Sequence, residues 1–259
     1  MKAPQSLINS PKNLEDKNVK LVIPFRVTSA DTDMEARLRA GSLVNLLIQA
    51  AISSADSLGF GYTGIRQQKL FWVLSRLTVE INRPMQWYEE GSVETWPKNI
   101  EGLLYLRDYI VRDKKGNTVA SATSGWLAVD IESKRPRKIE SLEEDLFTTL
   151  KDRHAIQESP EKIAAVKEGE QFSLQTTFFD ADLNRHVTSS RYIDWMIDRL
   201  PLDYARENYP GKISVNFMKE TIPGETIQIR VNSPTVKCFE YEGMHAGSGA
   251  VSFRGKILF

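Results

Sequence analysis

The chain has 259 residues, 41% of them hydrophobic and 26% charged, with a formal net charge of zero. That composition suits a soluble globular protein of one large domain or two small ones. The zero balance excludes a global electrostatic drive toward nucleic acid or anionic membrane and leaves only local basic patches. The single cysteine, Cys238, excludes an intramolecular disulfide and a CxxC zinc knuckle, and fits a reducing compartment. Three scattered histidines without ligand spacing argue against zinc, and no cofactor is expected. Residues 1–20 are polar and lack the apolar core of a secretory signal, and no stretch nears the roughly 20 apolar residues that span a bilayer. A cytoplasmic protein with a loose N-terminal arm is expected.

In chain order, the first helix is predicted over 42–58. Leu43, Leu46, Leu47, Ala50 and Ala51 repeat there at helical spacing, Ser42 can cap the start and Gly59 can end it. In Leu77-Thr78-Val79-Glu80-Ile81-Asn82 apolar and polar residues alternate, which predicts a strand with one buried and one wet face. Strands follow near 92–96, 103–112 and 118–131, the last two joined by a hairpin turn at Lys114-Lys115-Gly116-Asn117. Residues 132–169 are rich in charge, carry Pro136 and Pro160, and read as a linker with one or two short helices. A strand is then predicted over 172–178. A helix over 191–200 carries Tyr192, Trp195 and Met196 on one face and Pro201 at its end. Strands over 213–217, 226–231, 239–246 and 250–259 complete the chain. The expected division is a first domain over 1–140, a linker over 141–169 and a second domain over 170–259.

An internal repeat relates the two halves. Asp31-Thr32-Asp33-Met34-Glu35 matches Asp180-Ala181-Asp182-Leu183-Asn184 at an offset of 182 − 33 = 149, each ahead of the helix of its half. Leu77-Thr78-Val79 matches Ile213-Ser214-Val215 at an offset of 213 − 77 = 136. Each half is one long helix followed by short-looped strands, so the fold class is α+β with an antiparallel sheet. A central helix wrapped by such a sheet is the hotdog architecture, here in tandem.

The chemistry concentrates in the second half. In Asp182-Leu183-Asn184-Arg185-His186 a carboxylate, an amide and an imidazole alternate before a helix. In an extended segment they share one face, beside the free N–H groups of a helix N-terminus. That set can activate water and stabilise an oxyanion. The competing reading is an Asx turn with a capping Asp and a surface His.

These residues resemble the acyl-acyl carrier protein thioesterases of plants and bacteria. Asp180, Asp182, Asn184, His186, Val187 and Tyr192 match that family's D-x-D-x-N-x-H-V-N-N-x-x-Y signature, with Thr188 and Ser189 in place of its paired asparagines. Phe217-Met218-Lys219-Glu220-Thr221 is similar to its aromatic-R-R-E-C segment, with Glu220 on the functional glutamate and Thr221 where plant members carry cysteine. In the first half, segments beginning at Leu70, Asp108 and Ser124 resemble the L-x-W-V-x-x-R, D-W-x-V-R-D and S-x-W strands. The resemblance implies two tandem hotdogs that hydrolyse acyl carrier protein thioesters, with Asp182, Asn184, His186 and Glu220 catalytic and no metal. In the repeat, Glu35 and Arg37 stand where Asn184 and His186 stand, and Pro84 where Glu220 stands. Catalysis is therefore expected in the second half. The first half is expected to hold the acyl chain, through Val44, Leu47 and Ala51 with Trp72 and Trp126 opposite.

The expected partner is an acyl carrier protein bearing a fatty acyl group. Arg185, Arg191 and Lys219 are its docking candidates, beside the solvated turn Arg135-Pro136-Arg137-Lys138. Neither nucleic acid nor a membrane span is expected, and a homodimer stays open. The glycines over 59–64 read as a flexible loop without a P-loop lysine. His154 and His245 read as surface residues. The competing functions are a coenzyme A thioesterase or hotdog dehydratase, and a non-catalytic acyl-binding module.

Overall fold

The computed structural model describes residues 19–139 and 145–259. The first half contains β1 (Leu21–Arg26), α1 (Ala40–Ser57), α2 (Tyr62–Arg66), β2 (Leu70–Ile81), β3 (Glu90–Glu101), β4 (Leu104–Asp113) and β5 (Thr118–Asp130). After a short helix α3 (Asp145–Thr148), the second half runs through β6 (Glu170–Gln175), α4 (Ser189–Ile197), α5 (Leu202–Glu207), β7 (Lys212–Phe217), β8 (Thr226–Thr235), β9 (Cys238–His245) and β10 (Val251–Leu258).

All ten strands join one antiparallel sheet in the order β1-β3-β4-β5-β2-β7-β10-β9-β8-β6. The two halves meet at the β2–β7 seam, where Thr78 lies opposite Ser214 with their hydroxyls 3.4 Å apart. The wet face predicted for β2 survives in part: the Glu80 side chain keeps 44% exposure and Asn82 is exposed, while Thr78 is buried at the seam. β2 has a partner on each side, and Thr78 is buried like Leu77 and Val79.

α1 and α4 cross inside the sheet. α1 starts two residues before the predicted Ser42, with Arg39 in the cap position. This puts Gly41 in the first turn, where a Cβ would lie 2.1 Å from Asp194 Oδ1 and 2.9 Å from Ser190 O of α4, so only glycine allows the crossing. One apolar cluster spans both halves, including Val44, Leu47 and Ala51 from α1, Ile193 and Met196 from α4, and Val79, Val215 and Phe253 from the sheet. Gly59, in the left-handed region at φ +83°, follows the end of α1 as expected.

Two local expectations are corrected, and a third gains detail. The glycines over 59–64 are not a flexible loop: Gly61 opens α2, and a Cβ on Gly64 would meet Gly59 O at 2.0 Å. Pro201 ends the helix over 189–197 but also caps α5, which the sequence reading passed over because a proline there reads as a stop. The charged stretch read as a linker with one or two short helices carries the short helix α3, and after residue 145 it packs against both halves as a strap. Ala155 N–H donates to the buried Asp108 carboxylate, Lys98 reaches Ile156 O, and Asn216 holds both Ile163 N–H and Glu161 O. Leu146, Phe147, Ile156, Ile163 and Val166 are buried beneath it.

Candidate active site

The loop ahead of α4 is a closed turn, not an extended segment. Asp182 N–H donates to His186 O at 2.8 Å, Arg185 N–H to Asp182 O at 3.0 Å, and Asn184 N–H to Asp182 Oδ1 at 2.8 Å. Arg185 takes the left-handed conformation at φ +66°. The alternation of Asp182, Asn184 and His186 therefore does not put three side chains on one face. The Asp182 carboxylate takes the N–H two residues on and bends the chain, as aspartates do at turns. The first half builds the same turn. Asp33 N–H reaches Arg37 O at 2.8 Å, Glu35 N–H reaches Asp33 Oδ1 at 3.0 Å, and Ala36 has φ +59°. Thr28–Asp31 and Thr177–Asp180 form matching capping boxes before the two turns.

A second segment meets this turn. Val187 N–H donates to Thr221 O at 2.8 Å, as Leu38 N–H does to Met85 O at 2.7 Å in the first half. The contact sets His186 Nε2 3.4 Å from Glu220 Oε2, both side chains open to solvent. Thr221 faces inward and is fully buried, its hydroxyl 2.8 Å from that of Ser252. Tyr192 is buried close by, and its burial raises its pKa above the ordinary tyrosine value. The residue after Glu220 is thus anchored in the interior by the Thr221–Ser252 hydroxyl pair. Cys238 sits on β9 outside this group, and burial raises its thiol pKa. His245 corrects the surface reading: it is 4% exposed, with Nδ1 3.3 Å from Glu225 Oε2. That glutamate also accepts Ile222 N–H and so closes the turn after Glu220.

Of the docking candidates, Arg185 and Lys219 are exposed and enter no ion pair among the described residues. Arg191 is used internally, its Nε on Asp180 at 2.8 Å and its NH1 on Asp194 at 3.1 Å. Burial alone would raise the Asp180 pKa, but hydrogen bonds from Thr177 and Arg191 bring it below the ordinary aspartate value. Val44, Leu47 and Ala51 are buried together. Trp72 packs in a separate cluster with Phe60, Tyr105 and Phe147, and Trp126 touches both clusters. The first-half interior also holds a charge that the sequence reading missed. Arg107 is buried on the hydroxyls of Ser54 and Thr95, and burial lowers its pKa to about 10. Among the described residues no helix is long and apolar enough to cross a membrane, and no group of three or more His, Cys, Asp or Glu is placed to hold a metal.

The first-half turn has lost the polar pair. Pro84 replaces Glu220. Arg37 replaces His186 and clasps Asp33 together with the carbonyls of Ala205, Arg206 and Asn208 at the end of α5. Glu35, in place of Asn184, pairs with Arg206.

Fold and site together define a tandem hotdog with one open polar turn and one degenerate turn. Residues 20–147 match the acyl-ACP thioesterase N-terminal domain, and residues 163–257 match its C-terminal domain. The oleoyl-acyl carrier protein thioesterase 1 of Arabidopsis thaliana is 26% identical over 213 residues, covering 76% of this chain and 59% of the relative. The dodecanoyl-[acyl-carrier-protein] hydrolase of Cinnamomum camphora is 26% identical over 237 residues, covering 85% and 62%. Both relatives are chloroplastic, and the chain spans about six-tenths of their length. The crystal structure of an acyl-ACP thioesterase from Bacteroides thetaiotaomicron superposes with a TM-score of 0.87 at 26% identity, over 93% of this chain and 98% of that one. The 12:0-ACP thioesterase from Umbellularia californica shares the fold, with a TM-score of 0.79 at 19% identity over 93% and 97%. The chain belongs to the acyl-ACP thioesterase family.

Proposed function

We propose that the protein hydrolyses fatty acyl thioesters carried on an acyl carrier protein, releasing the free fatty acid and ending chain growth. The observation that carries this reading is the exposed His186–Glu220 pair, 3.4 Å apart, in the half that keeps the family's polar residues. His186 takes a proton from a water whose oxygen attacks the thioester carbonyl, and Glu220 supports the imidazolium that forms. Asn184 polarises the carbonyl. The sulfur then leaves as a thiol with the proton held on His186. Asp182 shapes the turn, since its Oδ1 is engaged by Asn184 N–H, and Glu220 is the carboxylate facing His186.

In this reading residues 170–259 form the catalytic domain, residues 1–140 hold the acyl chain, and 141–169 link them. Val44, Leu47 and Ala51, with Trp72 and Trp126, line the acyl site. Arg185 and Lys219 meet the acidic carrier, and Arg191 keeps its structural role. The half-buried, unpaired Cys238 suits a reducing compartment such as the cytoplasm. Steady-state kinetics on matched acyl-carrier and acyl-coenzyme A substrates test the reading. A higher kcat/KM on the carrier substrate is expected. A preference for coenzyme A would move the protein to the coenzyme A thioesterases, and no hydrolysis of either would leave an acyl-binding module.

A further inference from the structure

Five large apolar side chains surround the polar turn and face solvent. Phe178 is 80% exposed, Phe179 90%, Leu183 84%, Met218 54% and Ile222 46%. They rise from three segments laced together by hydrogen bonds. Thr176 Oγ1 donates to Ile222 O at 2.7 Å, Val187 N–H to Thr221 O at 2.8 Å, and Thr188 N–H to Asp180 O at 2.9 Å. Apolar side chains this exposed, grouped on one surface, mark an interaction site.

The repeat supplies an internal control. At the offsets of 149 and 136, these five positions correspond to Ser29, Ala30, Met34, Asn82 and Gln86. The same backbone turns are thus built in the first half with mostly small or polar residues, so the fold does not require the apolar ones. The first half does expose aromatics, Trp87 and Tyr88, but they stack on each other at 4.4 Å and lie one and two residues past the Gln86 position. Its turn is also already covered, because Arg37 and Glu35 hold the end of α5 against it. Charge follows the same asymmetry. Arg83, the counterpart of Lys219, is neutralised by Glu89 and Asp113, and Arg185 replaces Ala36. Lys219 and Arg185 are exposed and enter no ion pair among the described residues.

We infer that Phe178, Phe179, Leu183, Met218 and Ile222, with Arg185 and Lys219, form the seat of the carrier protein, which presses an apolar and acidic face onto the turn while its thioester reaches His186. This rests on the proposed function and names the surface that function would use. A protein fits better than a lipid surface, because the apolar side chains flank the turn that carries His186 and Glu220, and a carrier seated there brings its own thioester to that pair.

The test moves first-half residues into the second half. Phe178→Ser with Phe179→Ala copies Ser29-Ala30, and Ile222→Gln copies Gln86, so each variant carries side chains that this backbone already accepts. The substrates are an acyl carrier protein thioester and a short acyl thioester without the carrier. KM for the carrier substrate is expected to rise about ten-fold in the double variant, the loss typical of truncating an interface anchor. kcat and the carrier-free reaction should stay within about two-fold of wild type. Equal loss on both substrates would assign the residues to the acyl site, and no loss on either would remove the docking role. Co-sedimentation of the wild type with phosphatidylcholine–phosphatidylglycerol vesicles, lost in the double variant, would assign the surface to lipid. A wild type that cleaves the carrier-free thioester but not the carrier one would overturn the proposed function itself, an outcome distinct from the other three.

Discussion

Arg37→Met tests the claim that the first-half turn has exchanged chemistry for packing. The substitution keeps the apolar stem and removes the guanidinium. That group is 14% exposed, pairs with Asp33 at 2.8 Å, and donates to Ala205 O at 2.9 Å, Arg206 O at 3.1 Å and Asn208 O at 3.2 Å. A hydrogen bond to a charged group contributes about 1.5–3 kcal/mol. Here three carbonyls share one cation and are open enough for water to replace part of it, so about 1 kcal/mol each, or ~3 kcal/mol in all, is the expected loss. At ~2–4 °C per kcal/mol for a chain of this size, Tm should fall by about 6–12 °C. Thermal and urea unfolding measure this, and hydrogen exchange should rise first at the amides of α5. Glu35→Ala is the control: its exposed pair with Arg206 should be worth no more than ~1 kcal/mol. kcat should stay within about two-fold of wild type, since a clasp far from the chemistry governs stability more than rate. An unchanged Tm with unchanged α5 protection would refute the clamp. A large fall in kcat with stability intact would mean that the first-half turn shares in the reaction.

His186→Ala and Glu220→Gln should each lower kcat on the carrier thioester by about 10²–10⁴, as loss of general base catalysis does, and near-wild-type turnover in both would remove the pair from the mechanism. Cys238→Ala should leave kcat unchanged, and a large loss would reopen the question of a thiol nucleophile. Ala51→Trp should shift the released acids to shorter chains at unchanged chemistry, read by chromatography of products from a mixed acyl pool; an unaltered profile places the acyl site elsewhere. Hydrogen bonds hold Asp180 below its ordinary pKa, so its contribution to stability is present above the unfolded aspartate value of about 3.9 and is lost as pH falls through the lower folded value. Asp180→Asn should therefore flatten the acid limb of a Tm-against-pH curve, and an identical limb would contradict the assignment.

Local patterns told most where the physics is local. Leu43, Leu47 and Ala50 announced α1, and Lys114-Lys115-Gly116-Asn117 announced the β4–β5 turn, closed by Asp113 accepting the N–H groups of Lys115 and Asn117. Burial set by distant partners was not legible. Thr78 is buried at a seam with β7, 136 residues away, and His245 is buried on β9 beside Glu225. The His186–Glu220 contact was approachable only through the repeat and the family motifs, since 34 residues separate the two. The shape of the turn was misread by giving alternation more weight than the Asx preference of Asp182. The apolar collar had a readable signal, because comparing 178–179 with 29–30 sets two phenylalanines against serine and alanine.

The β2–β7 seam pairs each strand with its own counterpart. Thr78 faces Ser214, its equivalent in the other half, and Leu77 and Val79 face Val215 and Ile213. Such self-facing pairing is what a two-fold axis through Thr78 and Ser214 produces, the isologous contact by which two identical single-hotdog chains would dimerise. In a dimer of that kind every substitution appears twice, so neither copy of the turn can change alone. Joining both copies in one chain removes that obligation. One turn can then become the arginine clasp on α5 while the other keeps its histidine and glutamate, and residues lining the axis can differ by a single methyl group, as threonine and serine do here.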